Sequence, residues 1–131
     1  MKQEKVIICI DDEKSILLAL EQQLNRAFNG DFIIEPAESA EEALDLIDEL
    51  HSKKIEIPLI ITDQVMPGMK GNEFIQVAGK KMSHTSFILL TGYADSEIIS
   101  NLIKHQSLTI MHKPWNGEEL VSLIKKSISL H

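Results

Sequence analysis

The chain has 131 residues, 44% of them apolar and 25% charged, which suits one folded domain and excludes a disordered one. Its formal net charge of −7 speaks against direct nucleic-acid binding, which needs a basic face. No apolar stretch approaches the roughly 20 residues of a membrane span, and the opening Met1–Lys5 lacks the apolar core of a secretion signal, so a cytoplasmic location is expected.

The first apolar run, Val6–Ile10, holds the single cysteine, Cys9, which rules out a disulfide within the chain and reads as a buried strand thiol. Asp11 and Asp12 follow it. Ile16, Leu20, Leu24 and Phe28 then recur every four residues, the spacing of one helical face. A second apolar run, Phe32–Ile34, precedes Ser39 and Glu42, which read as a capping box. They open a helix with Ala43, Leu46, Ile47 and Leu50 on one face and six acids between Glu38 and Glu49 on the solvated side. The third run, Ile57–Ile61, is followed by Thr62 and Asp63. After Gly71 a helical stretch carries Phe74, Ile75, Val77 and Ala78. The fourth run, Phe87–Leu90, leads into Thr91 and Gly92, and a fourth helical stretch carries Ile98, Ile99, Leu102 and Ile103. The fifth run, Leu108–Met111, ends at His112, Lys113 and Pro114. Asn116 and Glu119 then mark the start of a last helix with Leu120, Leu123, Ile124 and Ile128, ending near Ser129.

The pattern is a strand and a helix, five times over. Continuous apolar strands alternating with helices predict an α/β fold: a parallel sheet covered on both faces, with right-handed crossovers. There is no sequence repeat, linker or low-complexity tract.

In such a sheet ligands bind beyond the carboxyl ends of the strands. Asp11, Asp12, Asp63, Thr91 and Lys113 all fall there. Any one of the acids has an ordinary explanation as a helix cap or turn former. Four strand ends carrying such residues at once do not. Clustered carboxylates repel one another unless a cation joins them. Mg²⁺ suits the cluster, because it takes oxygen ligands and prefers one or two carboxylates with a phosphate. Asp63 then has an oxygen free to attack phosphorus. Lys113 would neutralise the equatorial oxygens and Thr91 would donate to one of them. The glycines fit neither a dinucleotide fingerprint nor a P-loop. His51, His84, His105, His112 and His131 show no metal-ligand spacing. Met66 and Met69 read as packing around Pro67, and Trp115 as an anchor for the last helix.

These residues resemble the receiver domain of bacterial two-component response regulators. The motifs are Ile10-Asp11-Asp12-Glu13, Thr62-Asp63-Gln64-Val65-Met66-Pro67-Gly68-Met69-Lys70-Gly71, Leu90-Thr91-Gly92 and Lys113-Pro114-Trp115. The resemblance runs from Val6 to about Ile128 and implies a single receiver domain over 1–131, either complete or cut from a longer regulator. It implies a flavodoxin-like, doubly wound (βα)5 fold with strand order 2-1-3-4-5. It implies Asp63 as phosphoacceptor, with Thr91 and Lys113 assisting. Mg²⁺ would be held by Asp11, Asp12, Asp63 and the backbone carbonyl of Val65, with Mn²⁺ or Ca²⁺ as substitutes in crystals. A cis Lys113–Pro114 peptide is also implied. The donor would be a sensor histidine kinase or a histidine phosphotransfer protein, and the recipient of the signal an output domain or effector. Some relatives form homodimers on phosphorylation. The chain would be a signalling switch rather than an enzyme, catalysing only its own phosphorylation and dephosphorylation.

Three positions depart from the usual pattern. Many receivers carry Tyr or Phe three residues before the lysine; here it is Ile110, which cannot make a polar swing. The positions two past the acceptor and two past the threonine, which help to place a hydrolytic water, are Val65 and Tyr93. Neither is a carboxylate, so slow autodephosphorylation is expected. Val65 also lacks the acid that a haloacid-dehalogenase-like phosphohydrolase needs at that position. A constitutive module that has lost phosphorylation would not be expected to keep all five site residues.

Overall fold

The computed structural model describes residues 4–92 and 107–129. The elements run β1 (Lys5–Ile10), α1 (Lys14–Phe28), β2 (Ile33–Ala37), α2 (Ala40–Ser52), β3 (Glu56–Asp63), α3 (Gly71–Gly79), β4 (Ser86–Thr91), β5 (Leu108–His112) and α4 (Gly117–Ser129). The helical stretch expected around 98–103 lies outside the described residues, as does Tyr93.

All strand pairs are parallel, and the sheet order is β2-β1-β3-β4-β5. The chain steps from β1 outward to β2, then crosses back to β3 on the other side of β1. The order therefore reverses between β1 and β3, which opens a crevice at their carboxyl ends.

The continuous apolar runs are buried because successive side chains point to opposite faces and helices cover both. Val6, Ile8 and Ile10 face one layer with Ala43 and Ile47 of α2 and Phe74, Ile75 and Ala78 of α3. Ile7 and Cys9 face the other with Leu17, Leu20 and Leu24 of α1 and Leu120 and Ile124 of α4. Each fully buried Leu, Ile or Phe contributes roughly 1.5–3 kcal/mol relative to exposure. Burial pushes the Cys9 thiol up to about 12, so it is an inert core residue.

Helix ends follow their local signals. The Ser39 hydroxyl accepts the Glu42 N–H at 3.0 Å, and the Asn116 side chain accepts the Glu119 N–H at 3.0 Å. Asn29 closes α1 in the left-handed region, at φ 46°.

Several details differ from the pattern in the sequence. Strand β2 continues past Ile34 through Glu35 and Pro36, which an edge strand tolerates. Thr62 and Asp63 form the last residues of β3 rather than following it. The buried face of α1 is Leu17, Leu20 and Leu24, while Ile16 packs at its margin. Val77 is 40% exposed, because Phe74, Ile75 and Ala78 already fill the inner face of α3.

Candidate functional site

Asp63 ends β3, and Asp11 directly follows β1, whose Ile10 is in register with Thr62. The two acids therefore meet at the sheet's crevice. Asp11 is fully buried and Asp63 nearly so, whereas Asp12 faces solvent. One carboxylate oxygen from each of Asp11, Asp12 and Asp63 lies within 4.8 Å of the others.

Lys113 follows β5, two strands away from β3. Its backbone N–H donates to the Thr91 carbonyl at 2.9 Å, which ties it to the end of β4. Its ammonium reaches across that strand end to Asp63 Oδ1 at 3.0 Å and Asp11 Oδ2 at 3.3 Å. The Lys113–Pro114 peptide is cis. Just beyond it, Trp115 Nε1 donates to Gln23 Oε1 of α1 at 2.8 Å, securing the start of α4 against α1. Thr91 is buried at the end of β4, and its hydroxyl donates to the Gly92 carbonyl at 3.1 Å.

The electrostatics follow from this geometry. Burial raises the Asp11 pKa, and the neighbouring Asp63 charge raises it further. The Glu13 N–H, 2.9 Å from Oδ1, and Lys113 partly offset this. For Lys113, burial by itself lowers the pKa. The hydrogen bond and charge of Asp63, then those of Asp11, outweigh it, so the ammonium is held more firmly than a free lysine's. Three carboxylates against one ammonium leave a formal surplus of two negative charges at the crevice. An all-oxygen donor set with that surplus fits one hard divalent cation.

The structure therefore brings Asp11, Asp12, Asp63 and Lys113 together, with Thr91 at the adjoining strand end. Val65 lies on the following loop and is 60% exposed. His112 ends β5, while His51 and His84 rim a hollow that also takes in the first residues of β1 and β3. Met66 is buried and Met69 packs against the core, so both act in packing.

Four residues here, Gly71, Gln64, Asn72 and Glu41, were not anticipated as parts of the site. Gly71 has no room for a side chain, since a Cβ would come 2.3 Å from the Asp63 carbonyl oxygen. Its place at the end of the acceptor motif was the available signal. Gln64 is buried and hydrogen-bonded to Asn72 across the loop. No local pattern pairs residues 64 and 72. Glu41 of α2 also accepts the Met69 N–H at 3.4 Å, a contact between distant segments.

A doubly wound parallel sheet with an acidic cluster and a lysine where its strand order reverses defines an α/β domain whose polar site lies where such folds bind ligands. Residues 7–125 match the family described as the response regulator receiver domain, and the chain belongs to that family. It is thus a receiver domain of two-component signalling, homologous to phosphoacceptor domains. It is 27% identical over 128 residues to the hydrogenase transcriptional regulatory protein HoxA of Cupriavidus necator, a match covering 97% of this chain and 24% of HoxA. It is 26% identical over 130 residues to sporulation initiation phosphotransferase F of Bacillus subtilis, covering 99% of this chain and 98% of that protein. The crystal structure of a response regulator receiver domain protein from Clostridium thermocellum superposes with a TM-score of 0.83 at 26% identity, covering 97% of this chain and 95% of that one. The chain spans less than a third of the length of HoxA, and no described helix is long and apolar enough to cross a membrane.

Proposed function

We propose that this chain is a phosphoacceptor switch in which Asp63 takes a phosphoryl group in the presence of Mg²⁺. The observation that carries the reading is the meeting of three carboxylates within 4.8 Å, with the Lys113 ammonium 3.0 Å from Asp63. Asp11, Asp12, Asp63 and the Val65 carbonyl would hold the cation, which when bound neutralises phosphoryl oxygens. The donor is a phosphohistidine on a sensor kinase or a phosphotransfer protein. An Asp63 carboxylate oxygen forms a bond to phosphorus as the donor's P–N bond breaks. The departing imidazole keeps the electron pair and picks up a proton. Lys113 is already hydrogen-bonded to Asp63 and would follow the new negative charge onto the phosphoryl oxygens. Thr91 would exchange its bond to the Gly92 carbonyl for one to the same group.

The added charge of about −1.5 to −2 would bias the face carrying β5 and α4 toward an output domain or effector. Ile110 is half-buried beside Leu89 in that region and offers no hydroxyl to swing, so the change would be relayed by packing. Val65 leaves an aliphatic group where a hydrolytic water would need a polar partner, so the phosphoryl group would persist. We place the unit as one receiver domain over 1–131 acting in the cytoplasm.

Incubation with acetyl phosphate and Mg²⁺, followed by intact-mass measurement, tests this. A gain of about 80 Da, absent in Asp63→Asn and without Mg²⁺, is the expected result. No mass gain, or a gain that survives Asp63→Asn, would refute it. Decay as fast as in chemotaxis-type receivers would refute the slow-hydrolysis part alone.

A further inference from the structure

The loop after Asp63 is closed at its base by two amide side chains. Gln64 is 1% exposed. Its backbone N–H donates to the Leu90 carbonyl at 3.0 Å, and its carbonyl accepts the Gly71 N–H at 3.0 Å. Its side-chain Oε1 accepts the Asn72 N–H at 2.9 Å, while Nε2 donates to Asn72 Oδ1 at 2.7 Å. One residue is thus held on its backbone and on both atoms of its amide.

The Asn72 N–H belongs to the first turn of α3, where N–H groups have no partner within the helix. The residue before that helix is Lys70, whose side chain carries no acceptor. Gln64 supplies the missing cap from across the loop. The job needs an amide: an oxygen for the N–H and an NH₂ for Asn72 Oδ1. A carboxylate offers the first alone, and an apolar side chain offers neither.

Gln64 also sits between Asp63 and Val65. The Val65 carbonyl lies in the planar peptide shared with Met66, so its direction is set by the Val65 and Met66 dihedrals, measured from a backbone that the fixed Gln64 anchors one residue upstream. We infer that the Gln64–Asn72 amide pair is a positioning device for the divalent cation, locking the segment that carries the Val65 carbonyl to the start of α3. The inference rests on the cation reading given above. It makes Gln64 and Asn72 positioning residues, since neither would touch the cation.

Calorimetric titration of the full chain with Mg²⁺ and, separately, Ca²⁺ tests it, using wild type, Gln64→Leu, Asn72→Ala, the double variant and Asp12→Asn. Removing a group that orients a metal ligand typically weakens affinity about 10-fold or more. Gln64→Leu is expected to weaken Mg²⁺ by about that factor and Ca²⁺ less, because Mg²⁺ tolerates little departure from ideal geometry. The Mg²⁺/Ca²⁺ preference therefore falls. Partial unfolding would weaken both cations equally and leave the preference unchanged. The double variant is expected to match Gln64→Leu, as one shared contact requires. Amide hydrogen exchange over residues 65–71 in the metal-free variants is expected to quicken.

Unchanged affinities in Gln64→Leu, or equal weakening of both cations, would overturn the positioning role while leaving the cation site standing. Wild type that binds neither cation, like Asp12→Asn, would overturn both. If Gln64→Leu does not fold, Asn72→Ala decides, because it keeps the cap on α3 and loses only the Nε2 bond. An unchanged preference there overturns the inference.

Discussion

At the carboxyl end of the sheet, Asp11 and Asp63 are buried and the Lys113 ammonium is drawn between them. At the opposite end, Lys5, His51, Glu56, Lys81 and His84 rim a hollow of about 410 Å³. They stay in solvent, and Lys81 meets Asp48 at 3.7 Å with both side chains more than half exposed. A buried polar group there, Thr85, is satisfied by donating to the Ile57 carbonyl at 2.6 Å. Charged residues line both ends. What separates the ends is burial of charge. Taking carboxylates out of water is costly unless they are paired, so a fold that does it twice at one point is organised around that point. Of the basic residues there, His51 lies in the last turn of α2, a place where a basic side chain complements the helix dipole and needs no ligand.

The contrast can be broken at either end. The largest effect is expected from Gly71→Ala, whose Cβ would lie 2.3 Å from the Asp63 carbonyl oxygen. Backbone must move, so chemical denaturation should show a loss of about 3 kcal/mol. Phosphorylation by acetyl phosphate should fall with it, because the displaced residue is Asp63.

Lys113→Ala follows. It leaves Asp11 and Asp63 facing each other without their cation, and a loss of about 2 kcal/mol is expected in metal-free protein, less than for a wholly buried pair because Lys113 is partly exposed. Mg²⁺ should restore part of it. Denaturation with and without Mg²⁺ checks both statements.

Asp11 gives a pH signature. Its folded pKa is raised, by burial first and Asp63 second, above an unfolded value of about 3.9. A raised carboxyl pKa contributes stability that is complete below the unfolded value and lost as pH rises through the folded one. In metal-free protein, the stability of Asp11→Asn relative to wild type should therefore grow across that window and level off above it. A flat difference with pH would contradict the burial argument.

At the far end the effects should be smaller and silent for function. Thr85→Val removes the bond to the Ile57 carbonyl and should cost about 1 kcal/mol without changing phosphorylation. Lys81→Ala removes an exposed pair and should change stability by less than about 0.5 kcal/mol. A fall in phosphorylation from either variant would erase the distinction between the two ends.

Much of this was legible along the chain. Continuous apolar runs marked five strands because a parallel sheet is covered on both faces. Ser39 and Asn116 announced helix starts because capping is local chemistry. Asp11, Asp12, Asp63, Thr91 and Lys113 could be singled out because each follows or ends a strand. Element edges were less legible. Thr62 and Asp63 are polar and looked like loop, yet they stay in the ladder because β4 pairs with them, Asp63 opposite Leu90. Val77 looked like core and is exposed, since helical period alone does not say how wide the covered stripe is. Gln64 and Asn72 were unreadable as a pair, because a loop's closure brings them together rather than any period.

The sequence by itself determined the class of fold and the short list of residues on which its chemistry depends. Apolar periodicity and strand-end polarity are local properties, written in neighbouring residues. No local property of the chain carries the strand order, which only the family resemblance implied; the tertiary structure realises it, setting β5 two strands from β3, and decides the reach of the Lys113 ammonium to both Asp63 and Asp11. It also decided that Asp11 is buried while Asp12, the next residue, is in solvent. Those outcomes depend on which segments pack against which, and burial and charge pairing exist only once the chain has closed on itself.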